Sequence, residues 1–147
     1  MNETDPREIV TIAHEMDNWY ASLGRQFGPL SRPQRRMLRL LSPEQGRRVG
    51  DLGEELGLTT AGTTRMLDKL EALGYAERAR DQSSDQRQVY VTLTPAGKRA
   101  LSEADAIFFA RVRSTLEGLD EGERAMLARL LCLMNRHAPA QDLPSKH

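Results

Sequence analysis

The stretch from Thr59 to Arg87 reads TTAGTTRMLDKLEALGYAERARDQSSDQR and combines an amphipathic helix with a polar hairpin. Thr59 suits the N-cap of the helix, because its hydroxyl can accept a hydrogen bond from a backbone N–H that lacks a helical partner. An apolar stripe then recurs at three- and four-residue steps, and we expect it to be buried. Its members are Thr63, Met66, Leu67, Leu70 and Leu73.

The other face of this helix carries short side chains near its start and charged ones behind them, including Asp68. Short side chains let a helix approach base edges closely in the DNA major groove, and cations are attracted to the flanking phosphates. The pattern therefore favours a DNA recognition helix. Its predicted DNA contacts are Thr60, Ala61, Thr64, Arg65 and Lys69.

A β-hairpin is predicted directly after the helix. Gly74 is suited to end the helix, and residues 75–80 and 88–93 can then pair as strands. The second strand has the period of two that is typical of a half-buried strand, through Val89, Val91 and Leu93. In the polar tip between them, Arg87 is long enough to enter the DNA minor groove. Alternatively, Asp85 and Arg87 only balance each other in a solvated loop.

Two shorter helices are predicted before the recognition helix. Ser31 can cap the first, residues 32–41, and its inward side chains are expected to be Met37, Leu38 and Leu41. The second spans residues 50–58, with Gly57 marking its end. Two helices, a recognition helix and a hairpin are typical of a winged helix-turn-helix. The predicted fold class is thus mainly α with a small β-hairpin wing (α+β).

In these features the sequence resembles the MarR family of bacterial transcription regulators. The resemblance covers essentially the whole chain, and its matching residues are Leu30, Ser31, Gln34, Asp51, Leu52, Thr64, Arg65, Leu70, Glu71, Gly74, Glu77, Arg78, Asp85, Gln86, Arg87, Leu93, Thr94 and Gly97. It implies a homodimer, an operator with inverted half-sites and, usually, a small-molecule effector that changes DNA affinity. It also implies that Asp85 braces the wing while Arg87 reaches the DNA.

Three residues depart from the family pattern. Gly53 stands where the second helix usually has alanine, and Thr63 stands where the recognition helix usually has an aliphatic residue. Gly62 lies in the first turn of the recognition helix. Because a glycine inside a helix costs about 1 kcal/mol relative to alanine, this recognition helix is expected to be looser than average. Alternatively, Gly62 lets the backbone approach DNA closely.

Composition and charge limit the class of protein. A chain of 147 residues, 39% of them hydrophobic, corresponds to one domain with a modest core. The formal net charge of 0 argues against a nonspecific coat on nucleic acid, but residues 31–50 hold six arginines against one acid. This block is a candidate phosphate-facing surface. The predicted phosphate contacts in this block are Arg47 and Arg48, and Arg80 on the wing is a further predicted contact. For Arg32, Arg35, Arg36 and Arg39 the alternative is that they only solvate a helix face.

Helices at both ends of the chain are predicted to form an assembly surface. The first carries a broad apolar face over residues 9–23, a long helix runs from Pro95 to about Gly118, and a last one from Asp120 to about Arg136. Each is too apolar for a monomer and is expected to pack against its copy in a twofold dimer.

Residues 1–30 and 99–147 are accordingly assigned to a helical dimerisation region, and residues 31–98 to the winged helix-turn-helix, within one structural domain. The resemblance places an effector pocket between the first two helices, the long helix and the recognition helix. Its candidate residues are Met16, Trp19, Tyr20, Phe27 and Met37, for which a place in the core is the alternative.

Signals for catalysis, metals and membranes are weak. The histidines His14, His137 and His147 are far apart in sequence, and there is no phosphate loop or nucleophile elbow. We therefore predict no catalytic residue, metal or cofactor. Cys132 lies among apolar residues and is expected to be a buried structural thiol, with an intersubunit disulfide as the alternative. No apolar run has the length of a membrane span and the acidic N-terminus is unlike a signal peptide, so a cytoplasmic protein is expected.

The sequence thus predicts a ligand-responsive repressor that binds double-stranded DNA as a homodimer. Its two recognition helices would lie about one DNA turn apart, roughly 34–36 Å. Two alternatives from other classes stay open. One is a winged-helix module that binds an acidic protein without specific DNA readout, and the other is a small enzyme that uses His14 or Cys132.

Overall fold

The computed structural model describes residues 4–80 and 88–138. Within these ranges the chain forms six helices and five short strands, and the fold is mainly helical, as predicted. They are α1 (Pro6–Ser22), β1 (Gln26–Phe27), β2 (Leu30–Ser31), α2 (Arg32–Arg39), β3 (Arg47–Arg48), α3 (Val49–Leu56), α4 (Thr60–Ala72), β4 (Ala76–Arg80), β5 (Val89–Leu93), α5 (Pro95–Leu116) and α6 (Glu121–His137).

Five of the described helices begin with a side-chain cap, and four of them start where the sequence predicts: α2, α4, α5 and α6. At α4, the hydroxyl of Thr59 accepts a hydrogen bond from the Gly62 N–H at 3.0 Å, as predicted. The residue before the first helical one caps α2, α5 and α6 in the same way: Ser31, Thr94 and Asp120. These oxygens satisfy N–H groups that no helical carbonyl reaches, so the predicted starts of these helices are confirmed.

A tight turn joins α3 to the recognition helix α4. Gly57 ends α3 with a φ of 67°, in the left-handed region where glycine has no steric penalty. The Leu58 N–H then donates to the carbonyl of Gly53 at 2.8 Å, which closes the turn. The predicted end of the second helix at Gly57 is confirmed.

The wing contains a third strand that the sequence analysis missed. β5 lies between β4 and β3 in an antiparallel sheet, and β3 pairs Arg48 with Tyr90. A strand of two residues carries too little periodicity to be predicted, and the same holds for the short β1–β2 ladder. In β5, Val91 and Leu93 are buried as predicted, while Val89 is half-buried.

One hydrophobic core lies beneath α2, α3, α4, the sheet and the first half of α5. Its fully buried aliphatic and aromatic side chains include Phe27, Leu30, Met37, Leu38, Leu52, Leu67, Leu70 and Val91. The predicted inward residues of α2 are therefore confirmed, together with the nearly buried Leu41.

The apolar stripe of the recognition helix is buried over most of its length. Thr63, Leu67 and Leu70 are buried and Met66 is half-buried. The expectation that Leu73 is buried is wrong, since its side chain is 52% exposed. The reason is local: α4 ends at Ala72, and Leu73 lies past its last turn, where the chain turns towards β4.

A buried ion pair joins α2 to α5. The Arg35 Nε donates to the Asp105 Oδ1 at 2.7 Å, and the guanidinium carbon lies 3.9 Å from the centre of the Phe108 ring. Arg35 is only 4% exposed. The alternative that Arg35 solvates a helix face is therefore wrong, because α5 crosses α2 at this point and supplies both a carboxylate and an aromatic surface.

The C-terminal end of α1 is held by long polar side chains. The Arg32 Nη2 donates to the carbonyls of Tyr20, at 2.9 Å, and Gly24, and its guanidinium lies 3.6 Å from the centre of the Tyr20 ring. From α5, the Arg111 Nη1 donates to the Leu23 carbonyl at 3.0 Å. Cations at the end of a helix stabilise its unpaired carbonyls, so Arg32 also has a role beyond solvation.

The helices α1 and α6 bury none of their residues within the single chain. Their exposed apolar side chains are Ile9, Val10, Ile12, Met16, Trp19 and Tyr20 on α1, and Met126, Leu130, Leu131, Leu133 and Met134 on α6. Cys132 is exposed as well, so the expectation of a buried thiol is wrong for the chain by itself. It was inferred from apolar neighbours, which are exposed with it.

We predict that Asp105→Ala lowers the free energy of unfolding by about 2–4 kcal/mol. The change leaves the buried Arg35 guanidinium without its carboxylate, and the partial exposure of the Asp105 side chain, 27%, keeps the loss below that of a fully buried pair. Urea unfolding at a fixed protein concentration measures the loss. Glu103→Ala, an exposed carboxylate two residues earlier on α5, is the control, and equal losses in both variants would contradict the prediction.

Candidate nucleic-acid interface

An open groove of about 700 Å³ lies between the first turns of α4 and the wing. Four of the predicted DNA contacts line it, together with neighbouring residues of α3 and β5: Arg48, Thr60, Thr64 and Arg80. The groove thus has short hydroxyl side chains on its helix side and arginines on its strand side. An acidic residue, Asp51 in the first turn of α3, also lines it.

A second concavity, of about 480 Å³, lies on the other side of α4, against the start of α2. It holds two further predicted contacts, Arg65 and Lys69, beside Ser31 and Gln34. The remaining predicted contact on this helix, Ala61, is exposed. The start of α4 is therefore a ridge of small side chains with cations on both flanks, which is the shape and charge that a helix entering a major groove requires.

The two arginines of β3 have different surroundings. The Arg47 Nη2 lies 2.6 Å from the Glu55 Oε2, and its Nη1 donates to the Leu40 carbonyl at 3.4 Å. Arg48 is exposed and lines the groove beside α4. Arg47 is therefore partly neutralised by the protein itself, and Arg48 is the better placed of the two to meet a phosphate.

Arg78 of β4 joins the wing to the recognition helix. Its Nε donates to the Glu71 Oε2 at 2.5 Å, and its Nη2 forms an ion pair with Asp68. The hydrogen bond to Asp68, followed by that to Glu71, raises the pKa of Arg78 above its usual value. Sequence analysis missed this clamp, although two acids one turn apart on a helix and an arginine on the next strand were a usable signal.

Two of the predicted wing residues, Asp85 and Arg87, lie in residues 81–87, outside the described residues. The roles of Asp85 as a brace and of Arg87 as a minor-groove contact stay predictions.

The residues proposed for an effector pocket fall into two groups. Phe27 and Met37 have no exposed surface and belong to the core, whereas Met16 is exposed on α1. Trp19 and Tyr20 are also exposed on α1, where the Trp19 Nε1 donates to the Thr115 hydroxyl at 3.0 Å. The pocket therefore stays a prediction.

Across residues 4–80 and 88–138, no three His, Cys, Asp or Glu side chains are grouped so that they could hold a metal ion. His14 is exposed on α1. Among the helices of the described part of the chain, none is both long enough and apolar enough to span a membrane.

The sequence has relatives among transcription regulators. A profile of the MarR family matches residues 29–88. The chain is 32% identical to the HTH-type transcriptional regulator TtmR of Methylorubrum extorquens, over 93% of this chain and 70% of that protein. The chain belongs to the MarR family. It is also 27% identical to the HTH-type transcriptional repressor YetL of Bacillus subtilis, over 80% of this chain and 68% of the repressor.

Solved structures share the fold. A MarR family protein from Bacillus stearothermophilus matches with a TM-score of 0.75 and 22% identity, over 92% of this chain and 98% of that one. Streptococcus pneumoniae FabT, solved in complex with DNA, matches with a TM-score of 0.64 and 22% identity, over 89% and 93%. Bordetella bronchiseptica BpsR, whose DNA binding is regulated by 6-hydroxynicotinic acid, matches with a TM-score of 0.69 and 24% identity, over 85% and 98%. The chain is thus a winged helix-turn-helix, DNA-binding transcription regulator of the MarR family.

We predict that Thr59→Ala destabilises the protein by about 1 kcal/mol, because the Gly62 N–H at the start of α4 loses its acceptor. Thr59→Ser keeps a hydroxyl at the N-cap and should stay close to the unchanged protein. Urea unfolding of the three proteins tests this cap. Equal stability of the alanine and serine variants would show that the cap contributes nothing.

Proposed function

We propose that this MarR-family regulator is a repressor that binds an inverted-repeat operator as a homodimer and releases it when a small effector binds. The observation that carries the DNA-reading part is the exposed ridge at the start of α4, where Thr60 and Thr64 face one concavity and Arg65 faces the other. The resemblance of YetL, a named repressor, supports the sign of regulation.

Base reading and phosphate binding are assigned to different side chains. Thr64 and Arg65, near the start of α4, are proposed to read base edges in the major groove with Thr60 and Ala61. Arg48 lies on the rim of the groove and is proposed to bind phosphate. The remaining proposed backbone or minor-groove contacts are Arg47, Lys69, Arg80 and Arg87, with Asp85 as the brace of the wing.

Dimerisation is supported by the two outer helices. Neither α1 nor α6 buries a residue within the chain, and their large apolar side chains stay about half exposed, as with Ile12 at 46% and Leu130 at 48%. Burying such faces against a second copy is favourable by about 25 cal/mol per Å² of apolar surface, and a twofold pair presents two recognition helices to two half-sites.

Effector control would act through the spacing of the two recognition helices. A ligand that prefers a dimer with another spacing weakens DNA binding by its difference in affinity for the two states. The regulation of BpsR by 6-hydroxynicotinic acid supports an effector in this family. Met16, Trp19 and Tyr20 are the proposed pocket residues that are exposed, whereas Phe27 and Met37 lie in the core and could line a pocket only if the core opened. A regulator of chromosomal DNA is proposed to act in the cytoplasm.

Selection from a pool of random DNA duplexes tests the proposed readout. Repeated binding and amplification should enrich one inverted repeat, and gel-shift titration at physiological salt should then give at least about 1,000-fold tighter binding to it than to unrelated DNA. Weak binding without an enriched sequence would instead favour the protein-interaction alternative.

We predict that Arg48→Ala and Thr64→Ala affect different properties of DNA binding. Loss of the Arg48 cation should weaken binding to all sequences and lower the salt slope of log K by about 1 per protomer. Thr64→Ala should change base preference at one position of each half-site and leave the slope unchanged. Gel shifts at several salt concentrations measure both. A changed base preference in Arg48→Ala alone would show that the proposed docking of α4 is wrong.

We predict that Leu130→Asp splits or unfolds the dimer, because it places an unpaired charge in the proposed apolar interface. Leu73→Asp is the matched control, since Leu73 is similarly exposed, 52% against 48%, but lies on neither outer helix. Light scattering at micromolar concentration should give a dimer for the unchanged protein and for the control. A monomeric unchanged protein that binds a palindrome tightly would rule out the paired arrangement.

A further inference from the structure

Gly53 of α3 lies against Thr63 of α4, with no room for a side chain at position 53. A Cβ atom added to Gly53 would lie 2.5 Å from the Thr63 Oγ1 and 3.4 Å from the Thr63 Cβ. Both residues are buried, and Thr63 is 1% exposed. At 2.5 Å two such atoms overlap, so an alanine at position 53 would push the helices apart or force Thr63 out of its rotamer.

The Thr63 side chain is not free to turn away. Its hydroxyl donates to the Thr59 carbonyl at 2.8 Å, and the same carbonyl accepts the Thr63 backbone N–H at 2.9 Å. Turning the hydroxyl away would break the first of these bonds inside a closely packed site. The position of Thr63 is thus fixed by the first turn of α4, the turn that also carries Thr60 and Ala61.

The turn between the helices depends on the same glycine. The Leu58 N–H donates to the Gly53 carbonyl at 2.8 Å, and the Leu58 carbonyl oxygen would lie 3.5 Å from an added Cβ. Gly53 therefore contacts both the connection that leads into α4 and the first turn of α4 itself. A shift at this contact would move the start of the recognition helix relative to the rest of the DNA-binding region.

We infer that Gly53 and Thr63 are a matched pair of positioning residues, which sets how closely α4 approaches α3 and so how its first turn is presented to DNA. The two departures from the family pattern are then one compensating change: the smaller residue on α3 makes room for the hydroxyl on α4. This inference rests on the proposed DNA-reading function.

Sequence-specific binding should be more sensitive to this pair than nonspecific binding. Contacts to base edges need fixed geometry, whereas arginines such as Arg48 reach phosphates through flexible side chains and tolerate a shift. A displaced α4 should therefore lose discrimination between the selected operator and unrelated DNA. A simple loss of folded protein would lower both affinities in proportion.

The test compares Gly53→Ala with Gly118→Ala in the full-length protein, using the duplex selected with the unchanged protein and an unrelated duplex. Gly118 lies in the turn between α5 and α6, outside both concavities beside α4, and an added Cβ there would meet nothing within 4 Å. Both changes add the same methyl group, but only Gly53→Ala should lower operator affinity, by about tenfold or more. Nonspecific affinity should stay within about twofold in both variants, since the phosphate contacts are kept.

The double variant Gly53→Ala with Thr63→Ala tests the pairing itself. Removing the hydroxyl leaves the Thr63 Cβ at 3.4 Å, close to an ordinary contact distance, so the double variant should recover most of the operator affinity and exceed Gly53→Ala alone. Circular dichroism and urea unfolding identify any variant that fails to fold. An unfolded Gly53→Ala that the second substitution restores to folding and operator binding also supports the pair.

Two results would overturn the inference: operator affinity of Gly53→Ala equal to that of Gly118→Ala, or no recovery in the double variant. Failure of the unchanged protein to select any sequence is a different result, which contradicts the proposed function instead.

Discussion

The ion pair between Arg35 and Asp105 is the contact on which the packing of α2 against α5 depends. It joins α2 to α5, the long helix that is followed by the apolar outer helix α6. Arg35 is buried and also lies against the Phe108 ring, so its charge has no solvent to replace the carboxylate. Any movement of α5 relative to α2 would therefore strain or break this pair. Arg32 links α2 to the end of α1 through the Tyr20 carbonyl. Arg111 links α5 to the same end of α1 through the Leu23 carbonyl.

The recognition helix α4 is held to its neighbours at both ends, and its face with Ala61, Thr64 and Arg65 is exposed. At its start, Thr59 caps the first turn and Thr63 fits against Gly53. Towards its end, Arg78 of the neighbouring strand binds Asp68 and Glu71 and offsets part of the charge of these two acids. Both sets of contacts orient the helix through residues that are not among the proposed DNA contacts: Thr59, Thr63, Asp68 and Glu71.

Sequence reasoning succeeded where one residue or one short period decides the local structure. Thr59, Gly57 and the alternation through Val91 and Leu93 specify a cap, a turn and a buried strand face, and all three are confirmed. It failed where the surroundings of a side chain are set by residues that are distant in sequence. Arg35 resembles the exposed arginines around it until α5 supplies Asp105, and Cys132 has apolar neighbours that the single chain does not bury. The sequence shows that Gly53 and Thr63 differ from the family pattern. That the two residues touch each other follows only from the way α3 packs against α4.

The central claim is that two copies of this chain present two recognition helices to one operator. Hydroxyl-radical footprinting of the selected duplex tests it most directly, because protection is measured at each sugar along both strands. The account predicts two equivalent protected patches related by a twofold axis, with centres about one DNA turn apart, roughly 34–36 Å. A single protected patch, or two patches without twofold symmetry, would contradict it.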